Sequence, residues 1–146
     1  MYFEKIGLVS RAQRLSAASR EIMENYKGDF PKNKEYLLGI KGIGNYIASA
    51  ILCFGYGRPY PIVDTNIIRI FDRCFDVKSN KTRPRTDKFI WTFAKETLPK
   101  KNFIDYNYAL LDFAATICRA RNPKCKDCFF FDNCNYEFKT KKLHKK

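Results

Sequence analysis

Four cysteines stand within seventeen residues near the end of the chain, in CRARNPKCKDCFFFDNC, Cys118 to Cys134, separated by gaps of six, two and five residues. A segment that gathers four thiols must either crosslink them or give them something to ligate. That choice limits fold and compartment alike. The opening residues MYFEKIGLVSRAQRLS carry Glu4, Lys5, Arg11 and Arg14, so no apolar signal segment is read there, and no run approaches transmembrane length. The expectation is a cytoplasmic, nucleoid-associated protein with no membrane partner. Thiols stay reduced there, which sets disulfides aside and leaves ligation.

Structural zinc sites arrange their thiols as two short-spaced pairs separated by a longer loop. Here one short pair, Cys125 and Cys128, is flanked by single cysteines at wider spacing. Asn122-Pro123 and Phe129 to Phe131 make the loop tight and partly apolar. Four thiolates around a dry pocket suit a cubane iron–sulfur cluster, with zinc as the alternative. Cys53 and Cys74 lie in apolar helical surroundings and read as buried small hydrophobes.

The rest of the chain reads as all-α. With 146 residues, 45% of them hydrophobic, it can build one compact domain or two small ones sharing a core. In SRAQRLSAASREIMENYKG, Ala12, Leu15, Ile22, Met23 and Tyr26 share one helical face, and Gly28 stands at a C-terminal cap position. In DYNYALLDFAATIC, Tyr106, Ala109, Leu110, Phe113, Ala114 and Ile117 form an apolar stripe that Asp105 is expected to cap. Thr86 is expected to begin the helix TDKFIWTFAKETL, with Pro99 after its end.

Charge indicates the partner. The 28 Lys and Arg outnumber the 15 Asp and Glu, for a net charge of +13. The tail KTKKLHKK supplies five of the lysines, so the body keeps a clear surplus. Such a surplus favours a polyanion, because neutralising phosphates releases condensed counterions.

Two further stretches bear chemistry. In LLGIKGIGNYIASAIL, residues 37–52, helical segments flank Gly42-Ile43-Gly44. Paired glycines permit backbone angles closed to other residues, and the amides that follow are placed for a phosphate oxygen. An ordinary helix–helix corner is the plainer explanation. In PIVDTNIIRIFDR, residues 61–73, Asp64 precedes a helix bearing Ile67, Ile68, Ile70 and Phe71. It reads first as an N-cap, and second as a carboxylate able to stabilise positive charge developing on a sugar. Arg69 and Arg73, one turn apart, are expected to contact phosphate or to pair with Asp72 or Asp76.

In this order and spacing the three sites resemble the iron–sulfur branch of the helix-hairpin-helix DNA glycosylases, which includes endonuclease III and the mismatch adenine and thymine glycosylases. The resemblance runs from about Gly7 to Tyr136. It implies a helix-hairpin-helix glycosylase fold, a partial helical barrel with a [4Fe-4S] loop. Residues 1–104 would form the helical region, 105–138 a helix and the cluster loop, and 139–146 a basic tail. Gly42, Ile43, Gly44 and Asn45 would grip the backbone of double-stranded DNA. Asp64 would be the catalytic aspartate, and Cys118, Cys125, Cys128 and Cys134 would hold the cluster. Arg119, Arg121, Lys124 and Lys126 would face DNA from the cluster loop.

Tyr46 occupies the position where endonuclease III carries the lysine that forms a Schiff base with the sugar, and a phenol forms none. The implied reaction is therefore hydrolysis of the glycosidic bond of a mismatched base without strand cleavage. A glycosylase that also cuts the strand is the alternative within the family. Asn66 follows the aspartate as it does in the adenine enzymes. The family's N-terminal helices are expected to be missing, and so is the adenine enzymes' recognition domain; the second absence favours thymine or uracil over adenine. The chain is expected to act as a monomer unless another chain supplies those helices. A non-catalytic DNA-binding remnant or subunit is the second reading.

Overall fold

The computed structural model describes residues 9–136; the opening residues and the end of the chain, including the basic tail 139–146, lie outside the described residues. Every regular element among them is helical. The chain divides into two compact units, one reaching to Arg58 and one running from Pro59.

In the first unit, α1 (Val9–Tyr26) precedes α2 (Lys34–Gly39) and α3 (Asn45–Ala50), and α3 runs on into a π-helical turn, Ile51–Gly55. The Asn33 side chain caps α2, accepting from the amides of Glu35 at 2.8 Å and Tyr36 at 3.4 Å. Between α2 and α3 the chain turns through Gly42 at φ +97°, a conformation costly for any residue with a Cβ. A methyl group there would also stand 3.2 Å from Arg14 Cβ on α1. Gly28, at φ +89°, follows α1 as expected, its amide donating to the Ile22 carbonyl at 3.1 Å.

The apolar face assigned to α1 is narrower than its spacing suggested. Ile22 is buried, whereas Leu15 and Met23 are 62% and 66% exposed, and Ala18 takes the second buried position. Spacing identifies residues that share a stripe. Only neighbouring elements decide how much of the stripe is covered.

The second unit is built from α4 (Thr65–Phe75), α5 (Lys88–Glu96) and α6 (Phe103–Thr116). Val63, Ile67, Ile70, Phe71, Cys74, Ile90, Ala94, Phe113, Ala114 and Cys118 form one hydrophobic core. Because α4, α5 and α6 share it, compactness divides the chain at Arg58 rather than near residue 104. Two caps differ from expectation. Asp87, not Thr86, caps α5, its carboxylate accepting from the Phe89 amide at 3.1 Å and from the Ser79 hydroxyl. The Ser79 hydrogen bond, first among the influences on it, holds this carboxyl below the usual range. Asp105 lies inside the first turn of α6, and the helix is entered through Asn102 in the left-handed region at φ 56°. An acid there still complements the helix dipole.

Asn107 is buried on α6. Its Oδ1 accepts from the Ile62 amide and its Nδ2 donates to the Tyr60 carbonyl, both at 3.1 Å. The extended segment leading to α4 has no ladder of its own, so this one amide supplies what a neighbouring strand would. We expect Asn107→Ala to destabilise the second unit by about 1–3 kcal/mol, the cost of leaving buried backbone groups unpaired. Urea unfolding followed by circular dichroism measures it.

Candidate functional site

Asp64 is the N-cap of α4. Its Oδ1 accepts from the backbone amides of Asn66 at 2.8 Å and Ile67 at 2.9 Å. Its Oδ2 accepts from the Asn66 side-chain amide at 2.8 Å. Asp64 is half-buried, and its chain neighbours Ile62, Val63 and Ile67 are wholly buried. The cap and a reactive carboxylate are therefore compatible. The donors that fix the helix also fix the position of the carboxylate.

From Asp64 a chain of hydrogen bonds runs along α4 to the cysteine segment. Asn66 Oδ1 accepts from Arg69 Nη1 at 2.9 Å, and Arg69 donates on to the carbonyls of Cys118 at 2.9 Å and Ala114 at 3.0 Å. One turn further, Arg73 donates to the carbonyls of Arg119 at 2.7 Å and Ala120 at 3.1 Å, and its guanidinium lies 4.5 Å from the Tyr136 ring. Neither arginine pairs with Asp72 or Asp76 as the sequence suggested. Lys78 takes those acids, at 3.7 Å and 2.6 Å. The inward arginines answer a local need, because α6 ends at Thr116 and the carbonyls after it have no helical partner.

The opposite exchange completes the clamp. At the end of α4, Asp76 and Val77 donate to the carbonyls of Asp72 and Phe71. The next two carbonyls are met from the cysteine segment: the Cys134 thiol lies 3.4 Å from the Arg73 oxygen, and Asn135 Nδ2 donates to the Cys74 oxygen at 3.2 Å.

Cys118, Cys125, Cys128 and Cys134 all line one pocket, walled by apolar groups that include Phe113, Ile117 and Phe131. Cys74 lines it too, so a residue read only as core packing stands beside the four. Burial, and then the nearby Cys134 and Cys118, push the Cys74 thiol up to about 12, so it stays protonated at neutral pH. Burial also raises Cys128. Among the described residues no group of three or more His, Cys, Asp or Glu side chains is gathered as a metal-ion site. A single zinc ion needs all its sulfurs about 2.3 Å from one point. A cubane takes one thiolate on each iron, so its four donors stand apart around a common pocket. The donor set, all thiol in an apolar enclosure, fits the second demand.

Of the basic residues in this segment, Arg121, Lys124 and Lys126 are exposed. Arg119 is exposed as well, but its guanidinium folds back on the Asn122 carbonyl, at 2.6 and 3.2 Å. In the first unit, Gly44, Asn45 and Tyr46 are exposed at the start of α3, which has no side-chain cap. Ile43 is buried, and its amide closes the turn onto the Ile40 carbonyl at 3.0 Å. Gly44 has an ordinary φ of −98°, and a Cβ on it would meet nothing within 4 Å. Its lack of a side chain leaves open space, whereas Gly42 meets a conformational need.

A family model described as the HhH-GPD superfamily base excision DNA repair protein matches residues 2–96. The chain belongs to this family. It is 41% identical over 128 residues to a thymine-DNA glycosylase of Aeropyrum pernix, covering 86% of this chain and 57% of that protein. It is 37% identical over 125 residues to a thymine/uracil-DNA glycosylase of Pyrobaculum aerophilum, covering 84% and 54%. It thus spans little more than half the length of these relatives. A solved structure described as a thermostable thymine-DNA glycosylase superposes with a TM-score of 0.81 at 32% identity, covering 89% of this chain and 59% of that one.

Asn107, Arg69 and Arg73 were the site-building residues that sequence reasoning did not place. A polar residue inside the apolar stripe of α6 was the available signal for the first. For the arginines there was none, because the backbone carbonyls they meet lie 45 or more residues away. We expect Arg73→Met to cost about 1–3 kcal/mol of local stability, the range for charge-assisted bonds. Amide hydrogen exchange should quicken between Cys118 and Cys134 and stay unchanged in α1.

Proposed function

We propose that this chain carries the base-removing and DNA-gripping parts of a mismatch glycosylase that hydrolyses the N-glycosidic bond of thymine or uracil. The observation that carries the reading is the geometry of Asp64. Both its oxygens are held by donors and it directly follows the wholly buried Ile62 and Val63, and a negative charge fixed in this way stabilises cationic character developing on a sugar. The names of the relatives from Aeropyrum and Pyrobaculum favour thymine and uracil as the base.

The target nucleotide leaves the duplex stack so that its sugar reaches the carboxylate. The Asp64 carboxylate faces the positive character that develops on the sugar as the bond to the base lengthens, and water attacks the sugar. Asn66 orients the carboxylate and ties its position to Arg69. The amides of Gly44 and Asn45 take a backbone phosphate in the space above Gly44, while Gly42 and the buried Ile43 hold the turn in shape. Tyr46 has no amine for a Schiff base, so the strand is left uncut.

Cys118, Cys125, Cys128 and Cys134 hold a [4Fe-4S] cluster. When bound it supplies structure, crosslinking the segment that presents Arg121, Lys124 and Lys126 to DNA. Partner and place follow from this reading: double-stranded DNA with a mismatched base, in the cytoplasm. No helix among the described residues is long and apolar enough to cross a membrane.

Purified anaerobically, the chain is expected to contain iron and acid-labile sulfide in equal amounts and to release thymine from a G·T duplex or uracil from a G·U duplex. Asp64→Asn should lower release by about 10²–10³-fold or more, the usual loss when one preorganised electrostatic group is removed. Its iron content should not change, and borohydride should trap no covalent adduct with either protein. Release that survives in Asp64→Asn removes the reading.

A further inference from the structure

Among the described residues, the densest positive charge outside these sites lies between α4 and α5. Lys81, Arg83, Arg85 and Lys88 fall within eight residues, and all four are exposed. The nearby acids are already engaged. Asp72 and Asp76 pair with Lys78, and buried Asp87 accepts from Ser79 and Phe89.

The connection is also held in place. Trp91 Nε1 donates to the Arg85 carbonyl at 2.8 Å, and the Thr86 hydroxyl donates to the Arg83 carbonyl at 2.9 Å across the 3₁₀ turn Pro84–Thr86. Against α4 it leaves a groove lined by Thr65, Arg69, Thr82, Arg83 and Arg85, with the Lys78-paired Asp72 at its side. Thr65 directly follows Asp64, so the groove begins one residue from the carboxylate.

Three guanidinium groups and two hydroxyls suit an occupant rich in acceptor oxygens and negative charge. Arg69 spends its donors on Asn66, Cys118 and Ala114, so it contributes field more than bonds. Arg83 and Arg85 both line the groove, and their planar forks match phosphate oxygens. Three guanidinium groups against one lysine-paired carboxylate leave the cleft net positive, and such a cleft concentrates its counter-ion.

We propose that this groove binds the phosphodiester backbone of nucleic acid, at the phosphates beside the nucleotide presented to Asp64. The position relative to that nucleotide rests on the proposed reaction; phosphate binding itself does not.

The test is fluorescence anisotropy of the full chain on an undamaged duplex across a sodium chloride series. Arg83→Gln with Arg85→Gln is compared with Lys100→Gln with Lys101→Gln, which removes the same charge from the exposed α5–α6 connection. The slope of log affinity against log salt should fall by about 1.8 in the groove variant, about 0.9 for each phosphate no longer neutralised. It should fall far less in the lysine variant. An unchanged slope in the groove variant, or an equal fall in both, overturns the proposal, as does a chain that binds an acidic protein but no duplex. If the double variant loses its helical signal, each single arginine variant is read instead, with an expected fall of about 0.9. Base release with an unchanged slope leaves the proposed reaction standing and removes the groove. A lowered slope without base release does the reverse.

Discussion

The Asp64 carboxylate is committed to its own helix before it meets any substrate. One oxygen closes the first turn of α4 through two backbone amides, and the other accepts from Asn66. Capping and charge placement are thereby one arrangement. A helix start leaves amides unpaired, a carboxylate oxygen satisfies them, and those same amides fix the oxygen in place. Everything else in the second unit extends from this anchored helix. Its buried face carries Ile67, Ile70, Phe71 and Cys74 into the core, and its other turns carry Asn66, Arg69 and Arg73 towards the cysteine segment.

That segment has little regular structure, only two short 3₁₀ turns, Cys125–Asp127 and Phe131–Asn133. Its order comes from exchange with α4. Arginines of the helix donate to carbonyls of the segment, and Cys134 and Asn135 of the segment meet carbonyls at the end of the helix. Its Phe129 and Phe130 pack with each other and with Phe113 of α6, ring centroids 4.3 to 6.0 Å apart. The thiols therefore line a pocket shaped from two directions, and the charge on Asp64 is linked to that pocket through Asn66 and Arg69.

Much of this was legible in the sequence because it depends on local rules. The hairpin follows from glycine placement, the Asp64 cap from one residue before an apolar run, and the cysteine pocket from spacing. Long-range pairing was not legible. Asn107 sits within an apolar stripe, and only the folded chain shows that Tyr60 and Ile62 need its amide. Arg69 and Arg73 looked like surface charges with acids nearby, yet Lys78 is the cation that reaches those acids. Caps were misplaced by a residue or more, Asp87 for Thr86 and Asn102 for Asp105, because neighbouring polar residues compete for one role and backbone geometry selects between them. Leu15 and Met23 share a stripe with Ile22 but lie beyond what their neighbours cover.

Helix α6 acts as a gauge. Asn107 holds the extended segment that enters α4, and the Ala114 carbonyl holds Arg69 in the middle of α4. The two contacts are seven residues apart, about two helical turns, so both lie on the same side of α6. Between them identity is free wherever the side chain faces solvent, as at Ala109 and Asp112, whereas length is not. Inserting or deleting one residue would rotate one contact by about a quarter turn from the other and uncouple the aspartate from the sulfur pocket. Drift in this stretch should therefore proceed by substitution and never by a change in count.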